Sequence, residues 1–431
     1  MKVYQTKGVF LHGINIIPTG TPPFPPVAVF SVDQIGNPVT ASDVGNGDNF
    51  GRAIDMTNTF AIIGSPNHSL TYDQTYSLAG SAYIFEYDGS EWSEILKIDA
   101  GDPTDNGDVM AGAKFGTAVA INENHIVVGA ESYNDTGAAY VFETQDQWST
   151  TSIQKLTITP PNPLGLNVGD FVGCSVSIDG DRLLIGARGI DNGISNQGAV
   201  FAFNKIGGTW SQTQTIISSV PFSGGEFGVS VDMSGNYAVV GAWREDNSNG
   251  VAYVYEYSNN QWNLMNRLLA PEFISGQRFG TSVAIDGNTI AIGAAYSGIG
   301  RAYVYRRNGQ SWEYQDTLAA NNVDGTIVDP SASSNDGQGI SVGVDESNNV
   351  ILVSAHRNNS TGTVYVYENV NNTWSPSAIQ PISKINGNPS SSNDFFGLPV
   401  SIFNGNVIVG ASRRDSSSLS DNGFVYFFKS N

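Results

Sequence analysis

Apolar residues alternate with small or polar ones in short runs along most of this chain, and the runs recur in a fixed order. In the stretch Arg278–Trp312, Val283 and Ile285 alternate with small residues. Thr289 to Ile292 then leads into a Gly-Ala pair, Ala302 to Tyr305 is aromatic, and Trp312 opens a further run. A period of two marks half-buried strands, and the Gly, Asn and Asp residues at each junction supply turn chemistry. Four strands follow, here named A to D. A follows the Phe-Gly pair, B runs into Gly-Ala, C is aromatic and starts at a glycine, and D opens with Trp. Two-residue turns such as Gly287-Asn288 and Gly180-Asp181 join A to B as hairpins. No segment shows a helical period.

The unit repeats seven times. Its copies start at Phe50, Phe115, Val172, Phe227, Phe279, Gln338 and Phe396. The marker glycines that follow (Gly51, Gly116, Gly173, Gly228, Gly280, Gly339 and Gly397) are spaced by 65, 57, 55, 52, 59 and 58 residues. Self-similarity at this period means one repeat architecture rather than several unrelated domains. Four antiparallel strands taken seven times predict an all-β fold, a seven-bladed β-propeller. Solenoid repeats are shorter and lack four distinct strand types. Radial closure accounts for the strand chemistry, with small residues crowding the axis and Tyr, Phe and Trp filling the wider outer gaps. Trp92, Trp148, Trp210, Trp262, Trp312 and Trp374 mark strand D in six repeats, but the seventh ends on GFVYFFKSN with no such strand. The apolar run Val27–Val32, upstream of the first repeat, is therefore the expected outer strand of the last blade, latching the ring with the chain's own N-terminus. This gives an N-terminal arm, 1–26, and one propeller, 27–431.

The Phe-Gly and Gly-Ala pairing with an aromatic strand C resembles the FG-GAP repeats of the integrin α-subunit propeller and its bacterial and viral relatives, over residues 50 to 431. The resemblance implies a role in protein or glycan recognition, adhesion or structural display. It also implies a calcium loop in the A–B turn, and here the sequence departs from the pattern. Turns such as INENH, IDGDR and IFNGN are too short to wrap an ion that takes 6–8 oxygens. Asp102, Asp105 and Asp108, in one D–A loop, form the nearest acidic cluster. It reads as a solvated loop, and no cofactor is expected.

Charge narrows the partners. The chain has 20 basic and 40 acidic residues, a net −20, which argues against nucleic acid and anionic membranes. No apolar run is long enough to span a bilayer. The N-terminus lacks the pattern of a cleaved secretory signal. The lone Cys174 sits among Thr and Val counterparts and reads as packing. His12, His68, His125 and His356 fall in different contexts, and no HExxH, GxSxG or P-loop appears. The expectation is a protein that is not an enzyme.

One position carries candidate chemistry. The first two residues after each Gly-Ala are Pro66-Asn67, Glu131-Ser132, Arg188-Gly189, Trp243-Arg244, Ala295-Tyr296, His356-Arg357 and Ser412-Arg413. Four of the chain's 12 arginines share this spot. In a propeller, equivalent positions ring one mouth of the channel. Arg188, Trp243, Arg244, Tyr296, His356, Arg357 and Arg413 are thus a candidate face for an anionic or glycan ligand. The competing reading pairs these arginines with the acids that precede each repeat: Asp170, Glu226, Asp336 and Asp394. The functional expectation is a non-catalytic interaction propeller binding protein or glycan, in a virion or at a cell surface, with the arm 1–26 contacting another chain of an assembly. A secreted adhesin or a glycan-directed enzyme is the alternative.

Overall fold

A computed structural model describes residues 31–101, 109–144, 147–149, 154–158, 166–296, 298, 300–319, 336–358, 361–369, 383–385, 394–416 and 418–430. Seven four-stranded antiparallel sheets form the blades of a closed propeller. From innermost to outermost strand, blade 1 runs from Ala53–Met56 to Trp92–Ile98. Blade 2 runs from Phe115–Ile121 to Gln154–Ile158, blade 3 from Val172–Asp179 to Thr209–Ile216, and blade 4 from Ser230–Ser234 to Gln261–Leu268. Blade 5 runs from Ser282–Asp286 to Ser311–Leu318, and blade 6 from Gln338–Asp345 to Ser383–Ile385. Blade 7 starts at Val400–Phe403 and ends on Val32–Gln34.

The repeat signature has a packing cause. The marker glycines adopt φ near +90°, for example +92° at Gly116 and +87° at Gly228, which only glycine reaches cheaply. Six of the seven face the glycine of the preceding blade's Gly-Ala pair, and Gly397 faces Ser354 instead. A Cβ on Gly64, Gly129, Gly186, Gly241 or Gly293 would overlap the carbonyl oxygen of Gly116, Gly173, Gly228, Gly280 or Gly339 respectively. Blades therefore touch backbone to backbone near the axis. Ser175, Ser230 and Ser282 tie these seams by donating to the carbonyls of Gly228 (2.7 Å), Gly280 (2.9 Å) and Gly339 (2.8 Å). The marker Phe is buried edge-on against the first aromatic of its own strand C, as in Phe50–Tyr83 (5.5 Å), Phe227–Tyr253 (5.4 Å) and Phe396–Tyr426 (5.0 Å). Such pairs add about 0.5–1.5 kcal/mol beyond area burial.

The ring closes between blades 7 and 1. Gly410 backs onto Gly51, the Phe50 amide donates to the Asn422 carbonyl at 3.0 Å, and Trp92 stacks on Phe427 at 4.4 Å. The N-terminal latch is present, and among the described residues it spans Val32–Gln34, two residues past the end of the expected Val27–Val32. Strand Val32–Gln34 pairs with the C-terminal strand Phe424–Ser430 as Val32↔Ser430 and Gln34↔Phe428, and a bridge joins Val39 to Val425. Residues 1–30, including the arm 1–26 and most of the expected latch, lie outside the described residues.

A second correction concerns strand D. Trp92 starts it in blade 1, and Trp210, Trp262 and Trp312 are its second residue in blades 3 to 5. In blade 2, Trp148 instead sits in the C–D connection at φ +61° and is fully buried, and the strand begins at Gln154. Its constant role is to fill the outer gap, which a turn residue does equally well. Trp374 falls outside the described residues, and blade 6 takes Ser383–Ile385 as strand D.

Candidate functional site

The seven inner strands surround an axial cavity of about 800 Å³. One mouth is formed by the B–C and D–A loops, and a single hydrogen bond repeated in all blades positions it. The amide of the second B–C residue donates to the carbonyl two residues before the marker of its own blade. The seven bonds are Asn67 to Asp48, Ser132 to Ala113, Gly189 to Asp170, Arg244 to Gly225, Tyr296 to Gln277, Arg357 to Asp336 and Arg413 to Asp394, at 3.0–3.4 Å. Between those two anchors the residue just before the marker is left-handed, with φ of +55° at Phe171, +53° at Glu226, +57° at Arg278, +66° at Gly337 and +57° at Phe395. That twist turns its side chain toward the B–C residue of its own blade.

Blades 3 to 7 thus present such pairs. Arg188 lies 3.9 Å over the Phe171 ring and reaches Glu131 at 3.2 Å, with Glu226 at 3.9 Å. Glu226 accepts from Arg244 at 2.7 Å and from the Trp243 indole at 2.8 Å. Arg278 stacks on Tyr296 at 4.2 Å and on Trp243 at 4.9 Å, and these two rings meet edge to face at 5.6 Å. Gly337 leaves room for the buried His356 ring, which a Cβ there would overlap. Arg413 lies 4.7 Å over Phe395, Arg357 lies 5.9 Å over it, and His356 meets its edge at 5.1 Å.

The competing expectation, that the arginines pair with the acids before each repeat, holds for one acid only. Glu226 takes Arg244 and approaches Arg188, while Glu131, which sequence reasoning did not consider, takes Arg188. Asp170 caps its own loop by accepting from the Asn167 amide at 2.5 Å, and Asp336 accepts from Asn358 at 3.0 Å. Among the described residues, Arg357 and Arg413 form no ion pair. The mouth is therefore lopsided, neutralised on blades 2 to 4 and cationic on blades 6 and 7.

A residue that sequence reasoning missed completes the cationic side. Arg52 stands two residues after its marker Phe, where the other repeats have Thr117, Cys174, Val229, Thr281, Ile340 and Leu398. It lines the cavity and also lacks an ion pair among the described residues. The side chain is exposed at the cavity mouth, and the nearby Glu131 and Arg413 act on its charge in opposite directions. The signal that could have found it is its standing as the one charged residue at that position. His356 reports the same field. Its pKa is pushed down to about 4 by burial first, then by Arg357, Arg52 and Arg413. Its Nδ1 finds no partner of good geometry among the described residues, the Gly337 backbone being a polar group close to the ring.

Deeper in the cavity, Asp55 and Asp232 bridge blades. Asp55 accepts from the Ile121 amide at 2.9 Å and from Ser401 at 3.2 Å. Asp232 accepts from the Ile285 amide at 2.8 Å and from Ser177 at 3.2 Å. These bonds satisfy donors on the channel-facing edges of inner strands, which no further strand can pair. Burial pushes their pKa values up to about 6 and about 7. Cys174 is half-buried beside the cavity with Sγ 3.6 Å from the Gly228 carbonyl, and burial raises its thiol to about 11.

The His-acid pairs do not make a catalytic constellation. His68 holds Asp48 at 2.7 Å through Nδ1, but Nε2 faces Lys97 at 3.0 Å and the ring is buried. His125 is likewise buried and faces Lys205 at 3.1 Å. Among the described residues, neither ring hydrogen-bonds a hydroxyl or thiol that could act as a nucleophile. Asp102, Asp105 and Asp108 lie outside the described residues. Among those described, no group of three or more His, Cys, Asp or Glu is placed to hold a metal ion, and no helix is long and apolar enough to cross a membrane.

Comparison with known proteins places this geometry. A family profile described as FG-GAP repeat matches residues 37–85, 92–142, 164–203, 210–255 and 262–305, which are blades 1 to 5. Blades 6 and 7 share the architecture without matching it. Blade 6 has Gln338 for the marker Phe and Ser354 for the Gly of Gly-Ala. Comparison with curated proteins gave no match. Among solved structures, a candidate 6-phosphogluconolactonase from Bacteroides uniformis ATCC 8492 is similar, with a TM-score of 0.50 and 12% identity over 78% of this chain and 85% of that one. At that identity the likeness is one of fold alone.

Proposed function

The chain belongs to the FG-GAP repeat family of β-propellers, and on that premise we propose that it is a non-catalytic recognition module that binds a protein or glycan through its B–C and D–A loop face. The observation that carries this reading is the sevenfold bond between those loops. It holds a rim of arginine and aromatic side chains in fixed positions while leaving Arg357, Arg413 and Tyr296 exposed. Arg, Tyr and Trp are the residues that dominate recognition surfaces. The same face carries exposed apolar side chains at the D–A loop tips, with Val168 81% and Phe273 78% exposed, which suits a partner larger than a single ion. The low lysine content and unpaired cysteine favour a virion or surface-displayed component, and a secreted adhesin would use the same face.

Two assays test the reading. The purified protein is screened on a glycan array and against virion or cell-surface proteins encoded nearby in its genome. It is also incubated with a panel of glycoside and lactone substrates. Binding that is lost in Arg357→Glu/Arg413→Glu/Tyr296→Ala, with no turnover of any substrate, supports the reading. Turnover, or binding indifferent to that triple variant, contradicts it.

A further inference from the structure

The cationic side of the mouth is more specific than a general docking face. Gly51 backs onto Gly410 at the seam between blades 1 and 7, which sets Arg52 beside the B–C loop that carries Arg413, while Arg357, Arg413 and His356 meet at the Phe395 ring. The three arginines make no ion pair among the described residues, although the chain has twice as many acids as bases. His356 is only 7% exposed and carries an unpartnered nitrogen in the same place. Like charges gathered with no carboxylate in ion-pair contact destabilise a fold, so the arrangement fits a site completed by an anion. The cavity below, at about 800 Å³, falls within the roughly 300–1,000 Å³ typical of small-ligand pockets.

We propose that this mouth seats one oxyanion, a carboxylate or sulfate, of an acidic sugar on Arg52, with Arg413 and Arg357 closing on it from blades 7 and 6. The proposal rests on the recognition reading and narrows it. Two features select the ligand. Glu131 lies beside Arg52 and the whole chain is at −20, so a polyanion is repelled while a single oxyanion fits the local excess of cations. Thr117 and Thr281 line the cavity and already donate their hydroxyl protons to the Lys114 and Arg278 carbonyls, at 2.7 and 2.6 Å. Their oxygens therefore remain as acceptors for sugar hydroxyls, and the exposed Tyr296 offers a ring edge beside them.

The site also reports its own occupation. His356 stays neutral because burial and the arginines disfavour its charged form. An oxyanion among those arginines offsets part of that repulsion. Bound ligand therefore raises the His356 titration midpoint, and by linkage the ligand binds more tightly as pH falls toward that midpoint.

The full-length protein is titrated with galacturonate, galactose 6-sulfate and neutral galactose by calorimetry, and His356 is followed by NMR. Both acidic sugars are expected to bind at least about tenfold more tightly than galactose. Arg52→Gln is expected to lose about tenfold or more, the scale of one charge-assisted hydrogen bond. Arg182→Gln, on the opposite face over the Tyr257 ring of blade 4, is expected to leave binding unchanged, and either acidic sugar should move the His356 midpoint upward. Equal binding of galactose, unchanged affinity in Arg52→Gln, or a fixed His356 midpoint overturns the proposal. A Gly-Asp-Gly peptide that binds as tightly as galacturonate overturns the assignment to a sugar. If no acidic sugar binds while a macromolecular ligand still depends on Tyr296 and Arg357, the oxyanion site is wrong and the recognition reading stands.

Discussion

Replacing Gly186 by Ala is a direct test of why this repeat carries its glycines. A Cβ at Gly186 overlaps the backbone oxygen of Gly228 in the next blade and the Ser175 hydroxyl. The hydroxyl can swing aside, at the loss of its 2.7 Å bond to Gly228, worth about 1 kcal/mol. The carbonyl cannot, because it lies on the inner edge of blade 4, so the seam must open, and overpacking of this kind costs about 1–3 kcal/mol. The total is about 2–4 kcal/mol. With an unfolding entropy near 2.1 cal/mol/K per residue, a propeller of about 400 residues loses roughly 2–5 °C in Tm. Differential scanning calorimetry of G186A beside G89A measures it. Gly89 sits in an exposed turn where an added Cβ meets nothing, so G89A should fall by about 1 °C from its left-handed backbone alone. The chain supplies a second comparison, because Ser354 replaces the glycine in blade 6 and spends its hydroxyl on the Ser341 amide at 3.1 Å. A G186A protein that melts with wild type, within about 1 °C, would refute the backbone-contact account of the seams.

The remaining predictions concern pH, the latch and metal. The folded pKa values of Asp55 and Asp232, about 6 and about 7, exceed the unfolded value near 3.9. The folded state thus holds extra protons, and their contribution to stability declines as pH rises through about 6–7. His356, lowered to about 4, acts oppositely between about 4 and 6.5, but it offsets only one of the two carboxylates, so a net decline remains between about pH 4 and 7. The double variant D55N/D232N should flatten it in thermal melts, and an unchanged slope would exclude the pair as its source. Deleting residues 1–35 removes the partner of Phe424–Ser430 and should lower Tm or solubility by exposing a strand edge, and a deletion that melts like the full chain would contradict the latch. Excess EDTA should leave Tm unchanged, and a fall of many degrees would place a structural cation in the D–A loops.

The blade count was legible because a glycine contact at the axis leaves a residue-type signature in every seam. The latch was legible in kind but not in place. VAVFSV reads as a strand by its alternation, yet the pairing of Val32 with Ser430 and of Gln34 with Phe428 is a long-range register that local pattern does not encode. Trp148 misled for a related reason: burial in the outer gap fixes its identity, while the backbone state that delivers it is free to vary. The arginine rim could be read because loop positions repeat, although its ion pairing could not. Whether Arg188 meets Glu131 or Asp170 depends on the left-handed residue before each marker, which turns Phe171 toward Arg188 and leaves Asp170 to its own loop. Arg52 escaped notice because its meaning is radial. Two residues after the marker is an ordinary strand start in sequence and the mouth of the cavity in space.

The claim that the B–C and D–A loop face is where this propeller meets its ligand is tested most directly by hydroxyl-radical footprinting, with and without the strongest ligand from the array. The account predicts protection of Trp243, Tyr296, His356 and Phe395, with no change at Phe403, Tyr314 and Ile206 outside that face. Protection of the second group, with the first unchanged, would contradict it.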